Sequence, residues 1–332
     1  MPMPSEPLII CRCGMPFLDE TNKHFEAVIP MYKSKDHIPE LVRYLNLMAD
    51  CIMGKLTVVI VVDGNIDRTT DELISNLNGI SKWDWKIIQL SRNFGVGPAL
   101  MSAFELSDSC ISVAFGSDLQ EPVDLFAQFQ KSLADKDLHL ALGIRKTRQD
   151  PIISRFFSSI YWRLYSKFIS PDTPKGGFDV CGLSNFAKTI LIQMKEKNTN
   201  ITAQLDWIGL KREYIEFNRK RRSFGKSTWT FRKKLRLFFD SFYGFTDFPI
   251  RVMQTFSLIG IILLSGLGLI TITSWALGLI NIPGYTTIIF IQIFTANLII
   301  FAISILAGYV VRTFDNSKLR PNYIVEKILY SN

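Results

Sequence analysis

TVVIVVDGNIDRT, residues 57–69, is the stretch on which the fold turns. From Thr57 to Val62 every side chain is β-branched, and the run stops abruptly at Asp63-Gly64. An unbroken apolar run ended by a turn signal reads as a strand buried on both faces, not as one with alternating wet and dry sides. Comparable runs occur at Ala27–Pro30, Lys86–Leu90, Ile111–Phe115 and Leu138–Gly143. They recur at intervals of about thirty residues, the length of a strand–helix–strand unit. Helical patterns fill the gaps, as at Ile38–Met48 and Val123–Leu133. Strands alternating with helices predict an α/β domain with a mostly parallel sheet. Ligands of such sheets bind beyond the carboxyl ends of the strands. The loops after Pro30, Val62, Leu90 and Phe115 are therefore where chemistry is expected.

Further along, the composition changes. Between Val252 and Val311 there is no Asp, Glu, Lys, Arg or His. A helix needs about twenty apolar residues to cross a bilayer. Two such runs fit here, Phe256–Ile280 and Thr286–Val311, separated by the turn signal Asn281-Ile282-Pro283-Gly284-Tyr285. The expectation is a transmembrane helical hairpin. Its turn lacks Lys and Arg, whereas Arg251 stands on one flank and Arg312, Lys318 and Arg320 on the other. Positive flanks remain inside, so both termini are expected in the cytoplasm. Ahead of the hairpin, Arg219, Lys220, Arg221, Arg222 and Lys226 form a basic run. Leu235, Phe238, Phe239, Phe242 and Phe245 then follow helical spacing. This reads as a basic amphipathic helix lying on anionic membrane lipids. Arg219 to Arg221 are assigned to that leaflet contact. The expected organisation is an N-terminal extension over 1–23, a catalytic domain over 24–217, a juxtamembrane segment over 218–250, the hairpin over 251–312 and a cytoplasmic tail over 313–332.

The net charge of +8 and pI near 9.2 fit phosphorylated or lipid partners as well as nucleic acid. The five cysteines, Cys11, Cys13, Cys51, Cys110 and Cys181, include no CxxC pair and suggest free thiols in a reducing compartment. His24, His37 and His139 are isolated, with no partners for a hydrolytic triad. No cleavable leader is evident at the start. Gly95-Val96-Gly97 lacks the third small residue of a dinucleotide fingerprint, since Leu occupies position 100. A dehydrogenase is excluded on that ground.

Four loops can carry chemistry. Asp63 and Asp67 end a strand, where a carboxylate can accept hydrogen bonds from a base or ribose. Arg92, in Ser91–Gly97, can meet a phosphate. Asp118, in Phe115–Pro122, can hold a hard divalent cation. Asp179 closes the loop Pro174–Asp179. Each loop also has a plain reading as a turn or a helix cap.

In order and spacing these segments resemble glycosyltransferase family 2, and within it the membrane-anchored polyprenyl-phosphate glycosyltransferases related to dolichol-phosphate mannose synthase and bactoprenol glucosyltransferase. The resemblance runs from about Phe25 to Leu329. Val28-Ile29-Pro30-Met31-Tyr32 is similar to the opening strand and its Pro-x-Tyr loop. Asp63-Gly64-Asn65 with Asp67 and Thr69 resembles the Asp-Asp-Gly-Ser-x-Asp-x-Thr nucleotide segment. Arg92-Asn93-Phe94-Gly95 resembles the Arg-Asn-x-Gly loop. Asp118-Leu119-Gln120 with Pro122 resembles the Asp-x-Asp-Leu-Gln-Asp-Pro metal loop. Gly143-x-Arg145-x-x-Arg148-x-Asp150 and Arg222-x-x-Gly225-Lys226-Ser227 with Trp229 are similar to further family segments. So are Pro249 with Arg251, and Arg320-Pro321-x-Tyr323 in the tail.

Several positions depart from the pattern. Val62 and Gly116 each replace the first Asp of an acidic pair. Lys33 and Ser34 stand where Asn-Glu is common. Gly177 replaces the acid of Gly-Asp-Phe-Arg, and Asp179 stands at its Arg. If the segment is a strand, moving the acid from 177 to 179 keeps it on one face.

The resemblance implies a GT-A fold, Rossmann-like, carrying a C-terminal amphipathic helix and two transmembrane helices. It implies inverting sugar transfer from a nucleotide sugar to a polyprenyl (undecaprenyl) phosphate at the cytoplasmic face of a bacterial membrane. Pro30, Tyr32, Asp63, Asp67, Arg92, Gly95, Ser117 and Asp118 would bind the donor. Arg145, Arg148, Arg222 and Lys226 would bind the acceptor phosphate. Asp118 and Asp179 would be catalytic, with Mg²⁺ or Mn²⁺ on Asp118. A homo-oligomer is compatible with this reading, and nucleic acid is not expected as a partner. The alternatives are transfer to a lipid-diphosphate-linked saccharide and a catalytically impaired membrane scaffold of the same fold.

Overall fold

The computed structural model describes residues 24–134, 137–146, 159, 161–167, 170–171, 173–174, 176–194, 201–220, 248–278, 284–318 and 320–331. The expected strands form β1 (Phe25–Met31), β2 (Leu56–Val62), β3 (Asp84–Leu90), β4 (Ile111–Ala114) and β5 (Leu140–Arg145). β6 (Val180–Ser184), β7 (Arg212–Phe217) and β8 (Val325–Tyr330) complete a single sheet in the order β7-β5-β6-β4-β1-β2-β3-β8. The β4–β1–β2–β3 centre is parallel, and so is β5 with β7. β6 runs antiparallel to both β4 and β5, and β8 runs antiparallel to β3. The sheet is thus mixed and mostly parallel.

Helices cover both faces. α1 (Ile38–Cys51), α2 (Thr69–Leu77) and α4 (Asp124–Leu133) share one core with Phe25, Ala27, Ile29, Val58, Ile60 and Val62. α3 (Val96–Glu105), α5 (Asn185–Gln193) and α6 (Ile201–Ile208) pack on the other face, against Val28, Val59, Val61, Ile88 and Leu90. Alternate residues of β1 and β2 therefore enter opposite cores, which is why both strands are apolar throughout. β8 belongs to the segment read from sequence as a cytoplasmic tail. It instead closes the open edge of β3, pairing Lys86 with Tyr330 and Ile88 with Ile328.

The two apolar runs form α7 (Phe248–Ala276) and α8 (Tyr285–Ser317), which touch through Phe256 and Phe301 at 6.5 Å between ring centroids. Much of their apolar surface is uncovered: Ile262, Leu269, Ile300 and Val310 are all exposed. Among the described residues, the window Phe294–Val311 of α8 is long and apolar enough to cross a bilayer. Its mean hydropathy is 2.1 and only 6% of it is buried. The N-terminal extension with Cys11 and Cys13, the amphipathic run Leu235–Phe245, and Arg148, Arg222 and Lys226 lie outside the described residues.

Candidate active site

The parallel strands bring their carboxyl ends to one edge of the sheet. β6 runs the other way, so its first residue arrives at the same edge. The loops after β1, β2, β3, β4 and β5 therefore meet the loop before β6. Every described candidate from the sequence lies on one of these loops or at the strand end that feeds it, but they divide into two groups.

The first group surrounds Asp63. This carboxylate is only 4% exposed and accepts hydrogen bonds from the backbone N–H groups of Phe94 and Gly95, at 2.7 and 2.8 Å. Burial raises its pKa, while those two bonds and Arg92 oppose the rise. Both oxygens are engaged, so Asp63 shapes the β3–α3 loop and Gly95 begins α3. Arg92 is exposed and lies over the Phe94 ring at 4.3 Å. Asp67 accepts from the Thr69 hydroxyl at 2.7 Å, bracing the start of α2. Pro30 is half-buried at the end of β1, while Tyr32 is exposed beside it under the Lys33 ammonium. A groove of about 330 Å³ opens next to Arg92, Asn93 and Phe94, and is closed by Lys318 and Arg320 from the foot of α8.

The second group surrounds Asp118, with Ser117 half-buried beside it. Asp118 Oδ2 accepts from Arg219 Nη2 at 3.1 Å, with side-chain exposures of 16% and 24%. Arg219 follows β7 and is held in place by its neighbour. Lys220 N donates to the Gln120 carbonyl and Gln120 Nε2 donates to the Lys220 carbonyl, each at 2.8 Å. The assignment of Arg219 to the lipid leaflet is thereby corrected. This double bond between backbone and amide turns one member of a basic run inward. A Cβ on Gly116 would lie 2.8 Å from Asp118 Oδ1, so a larger residue there would turn the carboxylate aside.

Arg145, at the end of β5, grips Asp179 with two nitrogens: Nε meets Oδ2, and Nη2 meets Oδ1 at 2.7 Å. Asp179 N in turn donates to the Gly143 carbonyl at 3.0 Å. Residues 177–179 precede β6, so the strand argument for moving an acid from 177 to 179 does not apply. Gly177 has φ +68°, and a Cβ there would come within 2.2 Å of the Trp162 indole. The indole fills the space that an acid at 177 would need.

Glu121 escaped the sequence reading. It is 2% exposed, and its backbone carbonyl accepts from Tyr44 OH of α1 at 2.9 Å. Burial, then the charge of Asp118, push its carboxyl up to about 7, while Arg219 opposes them and Asp179 adds to the rise. Asp118, Glu121, Asp179 and Arg219 thus form one electrostatic group. The folded value exceeds the ordinary 4.5, so folding takes up a proton. That stabilisation is whole below pH 4.5 and is lost as pH rises through about 7. Its upper limit is roughly 3 kcal/mol. Thermal melts in detergent should show wild-type Tm falling about 5 °C more than that of Glu121→Gln across this window. Parallel Tm–pH curves would remove Glu121 from the account.

The family resemblance implies a divalent cation on Asp118. The donor set fits one poorly. Among the described residues no three His, Cys, Asp or Glu side chains converge, and Asp118 already holds a guanidinium.

The family model described as "Glycosyl transferase family 2" matches residues 26–192, half of the chain. The putative glycosyltransferase CsbB of Bacillus subtilis is 25% identical over 301 residues, covering 90% of each protein. The prophage bactoprenol glucosyl transferase homolog of Escherichia coli is 23% identical, over 91% of this chain and 98% of that protein. The undecaprenyl-phosphate 4-deoxy-4-formamido-L-arabinose transferase of Yersinia pestis is 23% identical, over 94% and 95%. Among solved structures, the mannosyltransferase PcManGT of Pyrobaculum calidifontis, in complex with GDP-Man and Mn²⁺, superposes with a TM-score of 0.45 at 15% identity. That match covers 86% of this chain and 88% of the other. With the family model spanning half its length, the chain belongs to glycosyl transferase family 2: it is a glycosyltransferase with an α/β, GT-A-like catalytic domain.

Proposed function

We propose that this glycosyltransferase moves a sugar from a nucleotide-sugar donor to a polyprenyl phosphate, with inversion, at the cytoplasmic face of a bacterial membrane. One observation carries the reading. Two carboxylate–arginine pairs, Asp118–Arg219 and Arg145–Asp179, stand on the sheet edge to which the foot of an apolar, exposed helix also returns. Phosphorylated reactants need the cations, and a lipid acceptor needs the helix. Relatives named for bactoprenol and undecaprenyl phosphate support the acceptor class.

In this reading the loops after β1, β2 and β3 receive the nucleotide, with Pro30, Tyr32, Asp67, Arg92 and Gly95 lining it. Asp63 acts through the loop it braces. Ser117 and Asp118 face the donor diphosphate. Arg145, with Arg148, Arg222 and Lys226, receives the acceptor phosphate. A phosphate monoester has a second pKa near 6 and is mostly a dianion at neutral pH, so its oxygen needs no strong base. Asp179 then orients rather than deprotonates: it holds the Arg145 fork in the plane that a phosphate will meet. The phosphate oxygen attacks the anomeric carbon as the bond to the diphosphate breaks, and nearby guanidinium groups neutralise the departing charge. Helices α7 and α8 form the membrane hairpin, and the segment that follows Lys220 rests on anionic lipid.

The test pairs a panel of sugar nucleotides with undecaprenyl phosphate and measures lipid-linked sugar. Transfer from one donor is expected. Asp118→Ala and Asp179→Ala should each lower it by about tenfold, the loss of one charge-assisted contact. Full activity in both variants would refute the site, and no transfer from any donor would refute the acceptor.

A further inference from the structure

We propose that Arg219 takes the place of a divalent metal in this enzyme: held against Asp118, its guanidinium binds the donor diphosphate and neutralises the leaving group, so that donor binding requires no metal ion. The proposal rests on the glycosyl-transfer reading above.

The first support is position. Asp118 is the acid on which the family resemblance would place the cation, and Arg219 Nη2 lies 3.1 Å from its Oδ2. This is no loose surface pair. Both side chains are largely buried, and Gln120 fixes the backbone beside Arg219 through two bonds to Lys220. A planar guanidinium anchored in this way presents its remaining N–H groups in a fixed fork suited to phosphate oxygens.

The second support is an unmet donor. Arg219 Nε is buried and has no hydrogen-bond partner. A buried donor of this kind is costly to leave unsatisfied, and an arginine beside a carboxylate normally spends it there. A diphosphate oxygen would satisfy it.

The third support is what is missing around Asp118. Gly116 supplies no carboxylate, and its Cβ position is crowded by Asp118 itself. Among the described residues no three acids converge as a cage for a hard cation that takes six or more oxygen ligands, and an acid that bears a guanidinium makes a phosphate clamp instead.

In the transfer step the bond from the anomeric carbon to the diphosphate oxygen breaks, and its electron pair stays on that oxygen. The new bond forms from an oxygen of the acceptor dianion. No proton need move, and the nucleoside diphosphate departs against Arg219.

The experiment is calorimetric titration of the full-length protein in nanodiscs with UDP and GDP, in EDTA and then in Mn²⁺. At least one diphosphate should bind with affinities within about twofold in the two buffers. Arg219→Ala should weaken that binding by about tenfold or more, the loss of a charged hydrogen bond. Binding that appears only with Mn²⁺ overturns the proposal, as does wild-type affinity in Arg219→Ala. If that variant fails to fold, Arg219→Lys and Arg219→Gln replace it. Lys should then bind at least about fivefold tighter than Gln, and equal binding overturns the proposal. Failure of the wild type to bind either diphosphate in both buffers, with no transfer from any donor, would instead sink the transferase reading beneath it.

Discussion

Gly177→Asp is expected to abolish transfer and to cost about 2–5 kcal/mol of stability, although it restores the acid that the family pattern carries at this position. Two separate costs add. At φ +68° a residue with a Cβ pays about 1–2 kcal/mol that glycine does not. The Cβ would also lie 2.2 Å from one indole carbon of Trp162 and 2.5 Å from another. Trp162 has little room to retreat, because it packs edge-on against Tyr161 at 4.9 Å and against Tyr165 at 5.1 Å. Tyr165 is fully buried and donates to Asp206 at 2.7 Å. Displacing this aromatic stack costs about 1–3 kcal/mol, as overpacking does. Melting temperature and lipid-linked product are the measurements. Adding Trp162→Ala should recover part of the stability, because it removes the clash and leaves only the backbone strain and the lost indole contacts. A Gly177→Asp protein as stable and active as the wild type would show that the loop can open at no cost.

The second large effect lies at the other end of the sheet. Lys188→Met is expected to cost about 3–5 kcal/mol, the usual result of removing one partner from a buried charge network. Lys188 is 2% exposed on α5, and its ammonium donates to the Ser107 hydroxyl at 2.7 Å and to the Ser109 carbonyl at 2.9 Å. Ser107 donates in turn to the carboxylate of Glu26, itself 2% exposed. One hydroxyl therefore relays between a buried cation and a buried anion. Methionine matches the length of lysine, so the variant tests charge rather than volume. Thermal unfolding of Lys188→Met, Glu26→Gln and the double variant forms a cycle whose coupling should exceed about 1 kcal/mol. Additive losses would mean that the two charges do not sense each other.

How far these features could be read in advance depended on the range of the interaction that fixes each. β1 to β4 were legible because a strand buried on both faces has to be apolar throughout, as Val58–Val62 is. β7 and β8 were not. REYIEF and VEKILY mix charges with apolar residues, as strands at a sheet's edge do, and only their partners identify them as strands. The site divides in the same way. Asp118, Asp179 and Arg145 could be named because each stands at a strand end in a recognisable loop. Arg219 could not be told from its basic neighbours, since its inward turn is set by Gln120, far away in sequence. Glu121 sat within a motif already read, but its backbone is held by Tyr44, which is 77 residues distant. The role of Asp63, bracing backbone rather than meeting a ligand, follows from the path of the β3–α3 loop and not from the motif.

The closure of β3 by β8 bears on how the protein is made. Residues 325–330 leave the ribosome only after both long helices, whereas the strand they pair with was synthesised more than two hundred residues before. Throughout that interval the β3 edge offers unpaired N–H and C=O groups, the kind of edge that recruits foreign strands. A domain that folds as it emerges is thus obliged to wait for its last strand while its apolar helices are being inserted, and early termination anywhere beyond α7 should yield an aggregation-prone nascent product rather than a shortened enzyme.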